Sequence, residues 1–126
     1  MEIRLNKFHY KKITKFGFPS DHVFRGAEMK AVIKKLSQVK IKSKSLDLGC
    51  GDGYLNRFIF KDKFNYGLDN DEAGVVKQAI KKHRFKKIII ESATKMSLPN
   101  RSLNLVFSNS VIEHIPNNKK LLKEVS

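Results

Sequence analysis

Three glycines, Gly49, Gly51 and Gly53, stand at alternate positions directly after the short run Leu46, Asp47 and Leu48. Glycine admits positive φ and lets a ligand approach the backbone closely. A strand, a glycine bend and a helix opening near Tyr54 therefore make a seat for a nucleotide-like cofactor, over the strand's carboxyl end and the helix N-terminus. Two carboxylates, Asp47 and Asp52, flank the bend, and Asp69 and Asp71 close the next extended run, which starts at Phe64. Asp69 lies about 20 residues past the bend, the offset at which an acid on the second strand reaches ribose hydroxyls. A bend for pyrophosphate has the spacing GxGxxG and avoids fixed negative charge, because its backbone N–H groups are there to hold an anion. Here the third glycine comes one residue early, and Tyr54 occupies the position that pattern needs.

The acids repel phosphate and suit a ligand with an ammonium, a sulfonium and a ribose, which is the chemistry of S-adenosylmethionine. With these residues placed, the segment from about Ser45 to Glu124 resembles the class I S-adenosylmethionine-dependent methyltransferases, in particular the broad small-molecule group. Residues 46–55 resemble the family's first motif and residues 66–71 its second. Residues 91–115 resemble its third strand, loop and fourth strand. The resemblance implies that Asp47 orients the methionine amino group, and that Gly49 and Gly51 make room for methionine and ribose, with Cys50 a small residue fitting the bend between them. It further implies that Asp69 pairs with the ribose hydroxyls, and that Ser108 and Asn109 face the cofactor and the acceptor pocket just past the fourth strand. Two positions depart from the family pattern. Ser92, before Ala93, stands where an acid usually takes the adenine amino group, with Glu91 one place earlier, and Asn70 replaces an apolar residue on the adenine face. Both substitutions predict weaker adenine contacts with the same cofactor.

Methyl transfer needs mainly alignment of the acceptor with the S–CH₃ bond, so a base is optional. Glu113 and His114 lie where an acceptor hydroxyl could be deprotonated, and histidine suits that task; packing and salt-bridging are the competing roles for the pair. His9, His22 and His83 sit in basic or amphipathic stretches and read as solvated. No residue set has metal-ligand spacing, and the single cysteine, Cys50, can form no internal disulfide. The run Ser108, Asn109, Ser110, Val111 lacks the paired prolines of enzymes that methylate the exocyclic amine of a flipped base. That argues against amine methylation of adenine or cytosine and leaves other RNA atoms open.

The positioning elements follow from periodicity. Met29, Val32, Ile33 and Leu36 recur at helical spacing and predict a helix from about Asp21 to Val39, capped by Ser20 or Asp21. Tyr54, Leu55, Phe58 and Ile59 predict the apolar face of a second helix. Val75, Val76, Ala79 and Ile80 predict that of a third, opening at Asp71 as its N-cap. Ile88, Ile89 and Ile90 read as a buried parallel strand. Strands alternating with helices define an α/β fold, a Rossmann-like parallel sheet flanked by helices. Right-handed crossovers place the strands from Ser45, Phe64, Lys86 and Leu103 in the order 3-2-1-4. The fourth strand is then an edge, apolar enough to be a pairing hazard unless a partner chain or further segment covers it. The resembled family continues with a glycine turn, a fifth strand and a hairpin, absent from these 126 residues, so a truncated domain is expected.

Composition bounds the rest. The chain divides into a basic, aromatic leader or lid over residues 1–20 and a partial S-adenosylmethionine-binding domain over residues 21–126. Lys and Arg total 26 against 12 acids, a net charge of +14, and residues 1–45 carry 12 of those bases and 3 of the acids. Phe8, Tyr10, Phe16 and Phe18 interleaved with Lys7, Lys11, Lys12 and Lys15 could stack on and track single-stranded RNA. The excess of lysine over arginine, with abundant Asn and Ile, also fits an A/T-biased genome, and nucleic acid is not the favoured partner. No apolar run reaches the ~18 residues of a membrane span, and no secretion signal opens the chain, so a cytoplasmic location is expected. The resulting expectation is methyl transfer from S-adenosylmethionine to a small-molecule, sugar, lipid or quinone-type acceptor. The alternatives are an RNA methyltransferase using the basic leader, and a non-catalytic cofactor-binding remnant or partner subunit.

Overall fold

A computed structural model describes residues 2–6, 19–38, 40, 42, 44–109 and 111–126, with side chains in the first helix from residue 27 onward. Most of the basic aromatic stretch, residues 7–18, lies outside the described residues. The elements are α1 (Pro19–Leu36), β1 (Ser45–Leu48), α2 (Tyr54–Ile59), β2 (Tyr66–Asp69), α3 (Val76–Lys81), β3 (Lys87–Ile90), β4 (Leu105–Ser108), a 3-10 turn (Ile112–His114) and α4 (Asn118–Val125). The four strands are all parallel and lie in the order β3-β2-β1-β4, as the right-handed crossover rule requires.

Side chains alternate across the strands and divide the core in two. Leu46 and Leu48 of β1, Val106 of β4 and Ile89 of β3 meet Leu121 of α4 on one face. On the other, Met29 of α1, Phe58 and Ile59 of α2 and Ala79 of α3 pack with Phe60, Phe64 and Phe85, with Phe107 and Ile88 against them. Phe60 stacks tilted on Phe64 at 4.6 Å and edge-on to Phe107 at 5.2 Å, a geometry aromatic quadrupoles favour. The same alternation turns Asp47 away from Leu46 and Leu48, towards the helix-covered face, between Gly67 and Phe107 of the neighbouring strands. That placement governs its chemistry below.

Residues 2–6 join the body of the fold. Ile3 is buried, and Leu5 bridges to Phe60. The Asn6 amide donates to the carbonyls of Arg57 and Phe58 at the end of α2, supplying donors to carbonyls that a helix end leaves without partners. Arg4 grips Asp62 through both carboxylate oxygens and holds that carboxyl down to about 2 through its hydrogen bonds.

Several predicted boundaries move. The first helix opens at Pro19 rather than at a Ser20 or Asp21 cap, since proline's fixed φ and missing N–H suit a first helical turn; it ends at Leu36, and Val39 lies outside the described residues. The third helix opens at Val76, not Asp71, because Asp71 and Gly74 both take left-handed φ, 60° and 65°, which breaks a continuous helix. Asp71 still caps it, accepting the Val76 N–H at 3.1 Å. The isoleucine strand is parallel but not buried throughout: β3 is an edge, Ile90 is 56% exposed, and Ile89 alone of the three is buried. Val75 and Ile80 are likewise exposed, leaving Val76 and Ala79 as the buried face of α3. Ser108 is the last residue of β4 rather than a residue beyond it.

Candidate functional site

The glycine bend sits at the carboxyl ends of β1 and β2. Gly49, Gly51 and Gly53 have φ of 74°, 50° and 73°, values at which a side chain is costly. The N–H groups of Gly49 and Cys50 both donate to the Leu68 carbonyl, at 2.7 and 3.0 Å, latching the bend onto β2. Asp69 completes the latch: its Oδ2 accepts the Gly51 N–H at 2.9 Å and its Oδ1 accepts the Asp71 N–H at 2.8 Å. An ionised carboxylate has about four lone-pair sites, so each Asp69 oxygen keeps capacity for a ligand hydroxyl. Asp52 accepts the Tyr54 N–H and starts α2, the turn-forming role expected of it.

An open cleft of about 580 Å³ adjoins this bend, within the range of small-molecule sites. Its lining includes Gly49, Asp69, Asn70, Ser92, Ala93 and His114. Six of the residues singled out from the sequence are thus brought to one place, across four segments of the chain. Asn70 turns its amide oxygen to the Glu72 N–H, and the Ser92 hydroxyl is shared with Thr94 at 2.9 Å. Glu91 faces away and takes the Ser97 N–H; the Ser97 side chain and then its backbone N–H draw the Glu91 carboxyl below the usual range.

Asp47, Cys50, Gly51, Ser108, Asn109 and Glu113 do not line the cleft. Cys50 is buried, and burial together with the charges of Asp47 and Asp69 pushes its thiol well above the ordinary range, so it is no nucleophile. Glu113 lies 3.9 Å from His114, with both side chains largely exposed. Asp47 is 5% exposed. Burial pushes its carboxyl up to about 8; the Asn56 amide beside it draws it partly back and the charge of Asp69 adds to the rise. Neither polar atom of the Asn56 amide makes a hydrogen bond of normal geometry, so a buried acid and an unsatisfied buried amide lie together behind the bend.

Sequence reasoning missed two residues here. Asn56 is the polar member of an otherwise apolar arc on α2, a pattern break that periodicity could have flagged. Val111 had no local signal: its side chain rests on Gly49, so close that a Cβ added there would stand 2.6 Å from Val111 Cγ1. The Gly51 side of the bend is open, with Val75 the nearest atom to such a Cβ at 3.8 Å.

Asp47 makes folding stability pH-dependent with a defined sign. Its folded pKa is raised, so between about pH 4 and pH 8 the folded chain binds a proton that the unfolded chain has released. Stability from this group is complete below that window and falls by up to about 1.4 kcal/mol per pH unit through it. Urea titrations across that range will show the decline in the wild type and a flattened profile in Asp47→Asn; parallel profiles would remove Asp47 as the cause.

Parallel strands in this order, with an open cleft over their carboxyl ends at a glycine bend, define a Rossmann-like protein of the nucleotide-cofactor class. Residues 46–126 match the family model described as "Methyltransferase domain", and the chain belongs to that family, whose cofactor is S-adenosylmethionine. The fold is shared with a solved S-adenosylmethionine-dependent methyltransferase from Thermotoga maritima, described as a possible histamine N-methyltransferase, at 16% identity and TM-score 0.60. It is shared also with a putative S-adenosylmethionine-dependent methyltransferase from Methanococcus maripaludis, at 17% identity and TM-score 0.63. These matches cover 76% and 95% of this chain but 44% and 58% of the two relatives, so the chain spans about half their length. A search of curated proteins by sequence finds no match.

Proposed function

We propose that this chain binds S-adenosylmethionine in the cleft beside Gly49 and takes part in transferring its methyl group to a small neutral or cationic acceptor. The observation that carries the reading is Asp69, fixed by two backbone N–H groups at the lip of the cleft with lone pairs to spare for ribose hydroxyls. In this reading Asn70, Ser92 and Ala93 border the adenine. Asp47, with the unsatisfied Asn56 amide behind it, lies on the methionine side of the bend, where a bound ammonium would favour its ionised form and draw off the proton that burial retains. Bringing that end home requires Val111 to leave Gly49.

The cofactor supplies an electrophilic methyl group, so the protein's task is alignment. In this reading His114, at the cleft wall with Glu113 beside it, takes the proton of an acceptor hydroxyl. The described lining contains Asp69 and Glu72 and no Lys or Arg, in a chain with 26 of them. That contrast favours neutral or cationic acceptors over phosphate-bearing ones, and hence disfavours RNA as the methylated species. The basic leader on which the RNA alternative rests lies mostly outside the described residues. No described helix is long and apolar enough to cross a membrane.

Incubation with methyl-labelled S-adenosylmethionine and acceptor panels sorted by charge tests the reading. Label should enter amines or neutral hydroxyl compounds. Cofactor binding with no transfer to any acceptor would favour the non-catalytic alternative, and transfer to RNA alone would overturn the acceptor class.

A further inference from the structure

The two ends of the sheet differ in how many acids they carry. Acids gather at the carboxyl ends, with Asp69 closing β2, Glu91 following β3, and Asp52, Asp71 and Glu72 in the adjoining turns. The amino ends carry bases: Lys44 precedes β1, Lys63 lies three residues before β2, Lys86 precedes β3 and Lys87 opens it, all four exposed. Backbone hydrogen bonds hold the segments of Lys44, Lys86 and Lys87 beside residues 64 and 65, next to Lys63 in the chain. The Lys44 N–H donates to Asn65 Oδ1 at 2.8 Å, the Lys87 N–H to the Asn65 carbonyl at 2.9 Å, and the Lys86 N–H to the Phe64 carbonyl at 3.0 Å.

Neighbouring strands lie about 4.8 Å apart, so three amino ends set the lysines in a row roughly 10 Å long. The acids at this end are already engaged, Asp62 by Arg4 and Glu2 by Lys40. None of the four lysines forms an ion pair with a described acid, although Lys87 also acts on Glu91 along its own strand. No acid occurs anywhere between Glu72 and Glu91.

We propose that this amino-end row, Lys44, Lys63, Lys86 and Lys87, docks the phosphate backbone of a single-stranded nucleic acid, on the side of the sheet remote from the cofactor cleft. A line of cations fits a linear polyanion. A lipid surface is better served by a broad basic face with an apolar wedge, and none of the exposed large apolar residues, Val75, Ile80, Ile90, Ile112 and Leu122, belongs to this row. The row contains lysines and no arginine fork, which fits sequence-independent contact with phosphates rather than base reading. Four-residue strands separate the two ends by about 13 Å. The row is thus separate from the cofactor cleft, so this inference stands whether or not the proposed activity does.

Fluorescence anisotropy of a labelled short oligouridylate, titrated with the full chain over a range of salt, tests it. Binding should weaken steeply with salt, and Lys86→Gln with Lys87→Gln should lower the slope of log K against log salt by about 0.7 per lysine removed. Lys44→Gln with Lys63→Gln should do the same. Lys119→Gln with Lys120→Gln, on α4 at the other end of the sheet, should leave the slope unchanged. Circular dichroism melting of each variant separates lost contacts from lost folding. Equal losses from the row and from α4 would show diffuse charge and overturn the proposal, as would a slope indifferent to the row. Row-dependent binding to phosphatidylserine vesicles that exceeds binding to the RNA would overturn the nucleic-acid assignment.

Discussion

Asp69→Ala should weaken S-adenosylmethionine binding by about 1.5–3 kcal/mol, the range for hydrogen bonds to a charged group. That is roughly one to two powers of ten in Kd. The size follows from the double duty of the carboxylate. It would accept the ribose hydroxyls, and it already holds the Gly51 and Asp71 N–H groups that shape the bend. Alanine removes the ligand contacts and leaves both backbone donors without their acceptor. Asp69→Asn should fall between, because its single carbonyl oxygen can keep only one of the two backbone donors well satisfied. Calorimetry with S-adenosylmethionine measures the loss, and urea unfolding shows how much of it is shared with the apo fold. Binding unchanged in Asp69→Ala would remove the cleft as the cofactor site.

A larger effect on the fold itself is expected from Gly49→Ala. The residue sits at φ 74°, where an L side chain costs about 1–2 kcal/mol, and the new Cβ would overlap the Val111 side chain. Overpacking of that kind adds about 1–3 kcal/mol, so a total near 2–5 kcal/mol is expected from urea denaturation. The double variant Gly49→Ala with Val111→Ala separates the two causes. Truncating Val111 clears the space and leaves the backbone strain, so it should restore the overpacking share and no more. Strict additivity of the two substitutions would mean that Val111 does not rest on Gly49. Val111→Ala alone also tests whether the valine covers the methionine end, since its removal should tighten cofactor binding.

The contrast between Asp69 and Asp47 shows how far the site was legible. Asp69 ends a strand, its neighbours are a turn, and its spacing from the glycines places it at their edge without knowledge of the rest of the chain. Its position at the cleft follows from local order. Asp47 was equally visible as a residue, but its environment was not. Which way it faces depends on the alternation of β1, and how deeply it is buried depends on Phe107, Gly67 and α2 arriving from elsewhere. The raised carboxyl is a product of that assembly. Ser92, Ala93 and His114 came from the resemblance, and the fold gathers them because β3 and β4 end on the same side of the sheet as β1 and β2.

Read alone, the amino-acid order settled what neighbours along the chain can settle: the glycine bend, the α/β alternation, the strand order through crossover handedness, and Asp69 as the acid beside the bend. Those properties follow from backbone sterics and from the short periods of helix and strand, and they act over a few residues. Tertiary structure alone decided that Val111 covers Gly49, that Asn56 lies unsatisfied beside a protonatable Asp47, that Ile90 faces solvent, and that the segments of Lys44, Lys86 and Lys87 meet at Asn65 and Phe64. Each depends on groups far apart in the chain meeting across a sheet, and no local pattern encodes that meeting.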